Sequence, residues 1–199
     1  MKIGAIILAA GASSRLGEPK QLLKFKGKTL LRRAVETAIV SNCHPVVVVL
    51  GANAEKVKDQ ISDLSVETIV CENWADGIGA SIKSGMTKML EIAPNSAAIL
   101  ILLCDQPFVT TETIARLTTT FQAAKKPVAA CEYQNTSGVP ALFAREMFDE
   151  LLKLSGDTGA KSLFRKHADK LAKISAPEAA FDVDTRQDYE KLSMITRDS

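Results

Sequence analysis

The stretch that decides the fold is Met1 to Leu23, MKIGAIILAAGASSRLGEPKQLL, and its two halves differ in character. Ile3 to Leu8 is an unbroken apolar run, which is typical of a strand covered by helices on both faces. The small side chains that follow would let backbone N–H groups approach a polyphosphate closely, while Arg15 and Lys20 could neutralise its charge. The stretch therefore predicts a strand followed by a phosphate-binding loop, with a flexible turn carrying two solvated cations as the alternative. It lacks the glycine patterns of a Walker A loop and of a dinucleotide fingerprint.

Apolar runs and amphipathic segments alternate along the rest of the chain, which is typical of β-α units around a parallel sheet. Further strands are predicted at Val46 to Leu50, Val66 to Val70, Ala98 to Leu103 and Val128 to Cys131, and each is expected to be covered by helices on both faces. Helices are predicted at Thr29 to Ile39 with Thr29 as N-cap, and at Ala54 to Ile61, Ile78 to Ile92, Thr111 to Gln122, Arg145 to Leu154, Ala160 to His167 and Gln187 to Met194. We predict a Rossmann-like three-layer α/β/α fold with a mostly parallel sheet. No linker or repeat interrupts it, so residues 1–199 are expected to form one domain.

Composition excludes several classes of protein. With 46% hydrophobic and 24% charged residues and a formal net charge of +2, the chain has the balance of a globular domain. Nothing in that charge favours nucleic acid or an anionic membrane surface as a partner. The apolar stretch Ala97 to Cys104 is far shorter than the roughly 20 residues of a membrane helix. The cysteines are too widely separated to predict a zinc finger or a disulfide framework, and we expect a cytoplasmic protein.

Three aspartates are candidate site residues because of their positions relative to the predicted strands and helices. Asp105 follows the apolar strand in Leu103-Cys104-Asp105-Gln106-Pro107, at the sheet edge where ligands bind in folds of this kind. Asp182 and Asp184 alternate in an extended stretch before the last predicted helix and would point to one face. Two other interpretations are open: Asp105 as a turn former, and Asp184 or Thr185 as the cap of the final helix.

The segment from Leu8 to Leu23 resembles the opening motif of the MobA-like NTP transferase family, and within it the molybdenum cofactor cytidylyltransferase branch. The resemblance implies the fold of the nucleotide-diphospho-sugar transferases. It also implies that Arg15, Lys20 and Asp105 are catalytic, and that Asp105 and Asp184 hold Mg²⁺. Ala10-Gly11 stands where guanylyl-transferring relatives usually have Gly-Gly, which favours CTP over GTP. The nucleotide-binding residues implied in this way are Leu8, Ala9, Ala10, Gly11, Ala12, Ser13, Ser14, Arg15, Lys20, Gly79, Ser81 and Asp105.

Gly79 and Ser81 enter that set through the segment Cys71 to Ile82, which resembles a family pattern Asn-x-x-Trp-x-x-Gly-x-x-x-Ser that contacts the nucleotide base. Cys71 departs from the pattern, since the family often has Asn there. Trp74 is left out of the predicted site because a packing role fits it equally well.

Two later motifs resemble the family's acceptor-binding signatures, Gly-His-Pro and Gly-Asp-x-Gly-Ala-Arg. The chain departs from them with Val139 for His and Lys161 for Arg, and a lysine loses the planar fork that holds a phosphate bidentately. Without the resemblance, residues 156–159 would be a helix C-cap followed by a new helix. The implied acceptor-binding residues are Gly138, Pro140, Gly156, Asp157, Gly159 and Lys161.

The resemblance implies transfer of CMP from CTP to the terminal phosphate of molybdenum-bearing molybdopterin, with release of pyrophosphate. A molybdenum hydroxylase of the xanthine dehydrogenase type would then receive the cofactor. One alternative keeps the reaction and changes the acceptor to a sugar phosphate or polyol phosphate. Another is a non-catalytic chaperone that delivers the cofactor. A nicotinamide oxidoreductase is disfavoured because its glycine fingerprint is missing.

Overall fold

A seven-stranded sheet with strand order β5-β4-β1-β6-β8-β7-β9 organises the protein, and a separate two-stranded hairpin pairs β2 with β3. The computed structural model describes residues 1–195, without the side chain of Thr158. The predicted domain of residues 1–199 therefore ends in four residues that lie outside the described part. The strands are β1 (Ile3–Ala9), β2 (Lys24–Phe25), β3 (Lys28–Thr29), β4 (Val46–Leu50), β5 (Glu67–Val70), β6 (Ala98–Leu103), β7 (Val128–Tyr133), β8 (Thr136–Ala144) and β9 (Leu171–Ser175).

The sheet is mostly parallel, as predicted. β1 lies between β4 and β6 and is parallel to both, while β8 is antiparallel to β6 and β7. β9 is parallel to β7 at one edge, and β5 is parallel to β4 at the other. Only β8 runs against the rest, so the carboxyl ends of the other six strands lie along one edge.

Helices cover both faces of this sheet. They are α1 (Leu30–Val40), α2 (Ala54–Lys58), α3 (Ile78–Ile92), α4 (Thr111–Ala124), α5 (Phe148–Leu152), α6 (Lys161–Lys166) and α7 (Arg186–Ile195). Alternate side chains of β1 divide between two cores: Ile7 packs in the cluster with α1 and α4, and Ile6 in the cluster with α3, α5 and α6. These two cores confirm the three-layer α/β/α prediction, since each buried strand side chain has a helix to pack against.

The structure confirms the predicted helices with small shifts at their ends. Thr29 caps α1, since its Oγ1 accepts a hydrogen bond from the Arg32 N–H. The predicted helices at Ala54 to Ile61 and Arg145 to Leu154 are each part α-helix and part 3₁₀-helix. Among residues 1–195, no helix is long and apolar enough to cross a bilayer. All four cysteines are buried, free thiols.

Two expectations about the sheet were wrong or incomplete. The strand at Val66 to Val70 was expected to be covered on both faces, but β5 lies at the sheet edge, where Glu67 and Val70 are exposed. The strands β8 and β9 and the small hairpin were not predicted. Gly138 and Pro140 interrupt the apolar pattern of β8, and Lys173 interrupts that of β9.

Candidate active site

A cleft of about 880 Å³ opens at the carboxyl ends of β1 and β6. It lies where the loop after β1, the start of α3 and the end of β6 approach one another, as expected for an open α/β sheet. Seven of the predicted nucleotide-binding residues line it: Leu8, Ala9, Ala10, Gly11, Lys20, Ser81 and Asp105. Ala12, Ser13, Ser14, Arg15 and Gly79 are not among its lining residues.

The loop after β1 is held in a tight turn at Ser13. This residue has a positive φ of 57°, and its carbonyl accepts hydrogen bonds from the N–H groups of Leu16 and Gly17. Its Oγ accepts a third from the Lys20 N–H at 3.0 Å. Within the described chain, the backbone N–H groups of residues 11–15 donate no hydrogen bond. Consecutive free donors of this kind form a concavity suited to an anion.

Lys20 joins two aspartates that are far apart in sequence. Its Nζ donates to Asp105 and to Oδ1 of Asp184, the latter at 2.8 Å. The side chains of Lys20 and Asp105 are only 16% and 11% exposed. Burial alone would lower the pKa of Lys20, but the charge of Asp105 and hydrogen bonds to both aspartates outweigh it and hold the pKa above its usual range. The lysine therefore stays cationic between the two carboxylates.

Asp184 also forms an ion pair with a second cation, the more exposed Arg15. The Arg15 Nη2 donates to Asp184 Oδ2 at 2.9 Å, and the Arg15 side chain is 69% exposed. Burial opposes ionisation of Asp184, but the hydrogen bond and charge of Lys20, aided by Arg15, hold its pKa below the usual range. The four charged groups predicted to handle a metal-triphosphate, Arg15, Lys20, Asp105 and Asp184, thus form one connected network.

Two hydrogen bonds, one between backbone groups and one from a side chain, hold the segment before α7 against the end of β6. The Val183 N–H donates to the Asp105 carbonyl at 3.0 Å, and Gln106 Nε2 donates to the Ala179 carbonyl at 2.8 Å. The cap of α7 is Thr185, whose Oγ1 accepts from the Asp188 N–H. The alternative interpretation of Asp184 as the helix cap is therefore wrong, and its carboxylate points to Lys20 instead.

A second cleft, of about 660 Å³, adjoins the first and shares four lining residues with it: Leu8, Ile78, Leu103 and Asp157. Among the predicted acceptor-binding residues, Asp157, Gly159 and Lys161 line it. Gly138, Pro140 and Gly156 do not, so the structure places only half of that set at the cleft. We call it the acceptor cleft because it lies beside the charged network and is lined by that part of the predicted acceptor set.

Apolar side chains dominate the walls of the acceptor cleft, and they are Leu8, Ile78, Ile82, Ile101, Leu103, Val139, Ala160 and Phe164. Its polar groups are Asp157, Lys161, Tyr133 and Asp182. Burial, followed by the nearby charge of Asp105, raises the pKa of Asp182 to about 6. Asp182 therefore differs from Asp184: it faces the acceptor cleft and is not one of the partners of Lys20.

Three glycines of the predicted site are required by close approach of other groups. A Cβ on Gly79 would lie 2.7 Å from the Ser155 backbone. A Cβ on Gly138 would collide with the Tyr133 hydroxyl, which donates to the Val139 carbonyl, and one on Gly159 would lie 2.6 Å from Ile78. These glycines shape the clefts through packing, which explains why Gly79 and Gly138 do not line them.

Asp105 and Asp184 fit a metal that is bound jointly with a ligand. Asp105 Oδ1 is buried without a hydrogen-bond partner, which leaves one carboxylate oxygen free to coordinate. Among residues 1–195 no group of three or more His, Cys, Asp or Glu side chains could hold a metal ion. Two carboxylates completed by phosphate oxygens and water are the usual environment of Mg²⁺.

Several residues at the two clefts were missed from the sequence. Trp74 and Gln21 line the first cleft, and Tyr133 lines the second. Asp182 was named from the sequence beside Asp184; it lines the second cleft, whereas Asp184 pairs with Lys20. Gln21 lies within the quoted loop motif, so the sequence could have identified it as a residue of this cleft. Tyr133 is brought to the acceptor cleft by the β7-β8 pair, which was not predicted.

A strand-end loop of free N–H donors beside a lysine and two aspartates defines the site of a nucleotidyltransferase, a class that needs placement and charge more than a general base. Residues 5–171 match the MobA-like NTP transferase domain. The chain belongs to that family, and the family predicted from the sequence is confirmed.

Relatives of similar length accompany this match. The chain is 32% identical to nicotine blue oxidoreductase of Paenarthrobacter nicotinovorans, and the alignment covers 96% of each chain. It is 26% identical to the purine catabolism protein PucB of Bacillus subtilis over 94% of each. The crystal structure of Rv0371c from Mycobacterium tuberculosis superposes with a TM-score of 0.84 at 29% identity, covering 96% of this chain and 98% of that one. Rv0371c has also been solved as a complex with manganese.

Proposed function

We propose that this protein transfers CMP from CTP to the terminal phosphate of molybdenum-bearing molybdopterin, releasing pyrophosphate. The observation that carries the proposal is the junction of Lys20, Asp105 and Asp184: Lys20 and Asp105 line the first cleft, and the second cleft adjoins it. A nucleotide in the first cleft would place its α-phosphate at this junction. An acceptor in the second cleft would reach it from the other side.

The chain supplies electrostatics and orientation. The free N–H groups of residues 11–15 would bind phosphate oxygens, and Lys20 and Arg15 would neutralise charge that develops as pyrophosphate leaves. The attacking group is a phosphate oxygen of the acceptor, which is already ionised near neutral pH. The acceptor therefore needs no general base. A new phosphoanhydride bond forms at the α-phosphorus while the bond to the β-phosphate breaks.

Asp105 and Asp184 would hold Mg²⁺ by the oxygens that now face Lys20 and by the free Oδ1 of Asp105. When bound there, Mg²⁺ would supply charge neutralisation at the α-phosphate. The solved complex of Rv0371c with manganese supports the use of a divalent ion.

The acceptor cleft favours a flat heterocycle over a sugar or polyol phosphate. Eight apolar side chains form its walls, and a polyol would leave its hydroxyl groups unpaired against them. Asp157 and Asp182 are acceptors suited to a ring edge rich in N–H donors, as in a pterin. These features support molybdopterin as the acceptor.

The Bacillus subtilis relative is named for purine catabolism, and xanthine is a purine. This supports a recipient of the xanthine dehydrogenase type. The four buried free thiols fit a reducing compartment, which supports the cytoplasm as the site of the reaction.

The test is to offer each of the four nucleoside triphosphates, with Mg²⁺ and with or without molybdopterin, to the purified protein. We expect pyrophosphate and a cytosine dinucleotide of the pterin by mass spectrometry, formed only with CTP. Turnover with a sugar phosphate or polyol phosphate but not with the pterin would establish the alternative acceptor. Binding of the pterin without pyrophosphate release from any triphosphate would establish the chaperone.

The relative named nicotine blue oxidoreductase makes an oxidoreductase the second candidate. Its 32% identity extends over 96% of each chain, whereas the loop after β1 lacks the glycine fingerprint of a nicotinamide binder. Oxidation of NADH or NADPH, followed by absorbance with nicotine blue as substrate, would separate the two. A nucleotidyltransferase is expected to leave both coenzymes unchanged.

A further inference from the structure

We propose that Gln21 is a positioning residue that sets the shape of the nucleotide-binding loop without touching the nucleotide. Its side-chain Nε2 donates to the Ala9 carbonyl at 2.7 Å and to the Gly11 carbonyl at 2.9 Å. These two carbonyls stand at the ends of the turn Ala9-Ala10-Gly11, so one amide group spans the turn. The inference rests on the proposed function, because it concerns the binding of the triphosphate.

The side chain of Gln21 acts from behind the loop. The residue is 1% exposed, although it borders the first cleft together with Ala9, Ala10 and Gly11. A group so deeply buried offers a ligand almost no surface. Any effect on the nucleotide must therefore pass through the backbone that Gln21 holds.

The contacts fix the orientation of the amide. A rotated amide would place Oε1 against two carbonyl oxygens and lose both hydrogen bonds. In the observed orientation Oε1 is buried without a partner, and an unpaired buried acceptor is costly. The two hydrogen bonds to the carbonyls offset the cost of the unpaired Oε1. An apolar side chain of the same size would leave both carbonyls without this donor.

The consequence concerns the N–H groups of the loop. A peptide carbonyl and the N–H of the next residue share one rigid plane and point in opposite directions. Because Gln21 holds the Ala9 and Gly11 carbonyls inward, the N–H groups of Ala10 and Ala12 are directed away from it. The N–H groups of residues 11–15, which include that of Ala12, have no acceptor within the described chain. Gln21 therefore keeps donors of the loop aligned for phosphate oxygens.

The test compares Gln21→Met, which keeps the size and loses the donors, and Gln21→Glu, which replaces the donors by oxygens. Exposed Gln122 on α4 supplies the matched control, Gln122→Met. Two lost hydrogen bonds predict a rise of roughly tenfold to a hundredfold in the KM for CTP in both Gln21 variants, with a smaller change in kcat. All four triphosphates should lose affinity by the same factor in an equilibrium binding assay with Mg²⁺. An unchanged KM for CTP would overturn the proposal, and so would a loss confined to CTP, which would mean that Gln21 contacts the base.

A second measurement needs no nucleotide. Hydrogen-deuterium exchange of the N–H groups of Leu16, Gly17 and Lys20, which donate to Ser13 of the same loop, should be faster in Gln21→Met than in the wild type and the Gln122→Met control. Circular dichroism and thermal melting check that the sheet is intact. Unchanged exchange would refute the positioning role even if the protein used no triphosphate. Faster exchange in Gln21→Met, together with a wild-type protein that binds no triphosphate, would instead refute the proposed function alone.

Discussion

Replacing Lys20 by methionine should destabilise the protein in the absence of metal and make it more responsive to divalent cations. Met fills nearly the same space as the lysine stem but leaves Asp105 and Asp184 without the ammonium that now joins them. Both carboxylates would then lose their shared cation while staying close together. The same vacated position would suit Mg²⁺ or Mn²⁺, because the lysine no longer competes for the carboxylate oxygens.

The size of the effect follows from burial. Breaking a buried ion pair by removing one partner costs about 3–5 kcal/mol. The Asp184 side chain is 38% exposed, so water can solvate it in part, and we expect a loss of about 2 kcal/mol. For a chain of this length that corresponds to a fall in Tm of about 4–8 °C.

The assay is thermal unfolding in chelator and in millimolar MnCl₂, without nucleotide. Exposed Lys58 has no ion-pair partner among the described residues, and Lys58→Met serves as the control. We expect MnCl₂ to raise the Tm of Lys20→Met more than that of the wild type or the control, since binding to the folded state alone stabilises it. Equal Tm values in chelator and equal shifts with MnCl₂ would show that Lys20 does not hold the two aspartates together.

Three further substitutions test other parts of the site. Asp105→Asn should leave the fold intact and cut turnover severely, and near-normal turnover measured by pyrophosphate release would refute a metal-binding role. Desolvation and the charge of Asp105 raise the pKa of Asp182 from 3.8 to about 6, so ionisation of this carboxyl costs stability as pH rises through this window. Asp182→Asn should therefore melt higher than the wild type above about pH 7 in chelator and equally near pH 4, and the same difference at both pH values would contradict the assignment. Gly79→Ala should lose about 1–3 kcal/mol in denaturant unfolding, since its Cβ would meet the Ser155 backbone, and an unchanged midpoint would argue against that close approach.

The core of the fold was predictable because its strands are apolar throughout. β1, β4 and β6 are buried on both faces, and such strands appear in sequence as continuous runs of apolar residues. β8 pairs with both neighbours in antiparallel fashion, yet Gly138 and Pro140 within it obscure any pattern. Its place in the sheet depends on partners distant in sequence, which local periodicity does not report.

The location of the charged site was also predictable from the sequence, but the pairing of its individual side chains was not. Asp105 follows a strand, and parallel strands end at one edge, so its arrival near the loop after β1 follows from topology. The pairing of Asp184 with Lys20, and the use of Thr185 as helix cap, depend on which side chain a single turn directs inward. Tyr133 reaches the acceptor cleft only through the pairing of β7 with β8, and β8 was not predicted.

The charges of the site explain why one set of residues can serve both the empty and the loaded protein. Lys20 and Arg15 carry two positive charges, Asp105 and Asp184 two negative charges, and the four neutralise one another through short contacts. A buried lysine or aspartate without such a partner would be costly, so the resting site stays folded because it is balanced. In the proposed reaction, the triphosphate would pair with the two cations, and Mg²⁺ would pair with the two carboxylates. Each charged side chain would thus exchange its present partner for a ligand whose charge has the same sign as that partner. Binding of either ligand alone would leave two charged side chains of the site without a partner. On this argument the triphosphate and the metal bind cooperatively, and Lys20 is the residue through which they are coupled.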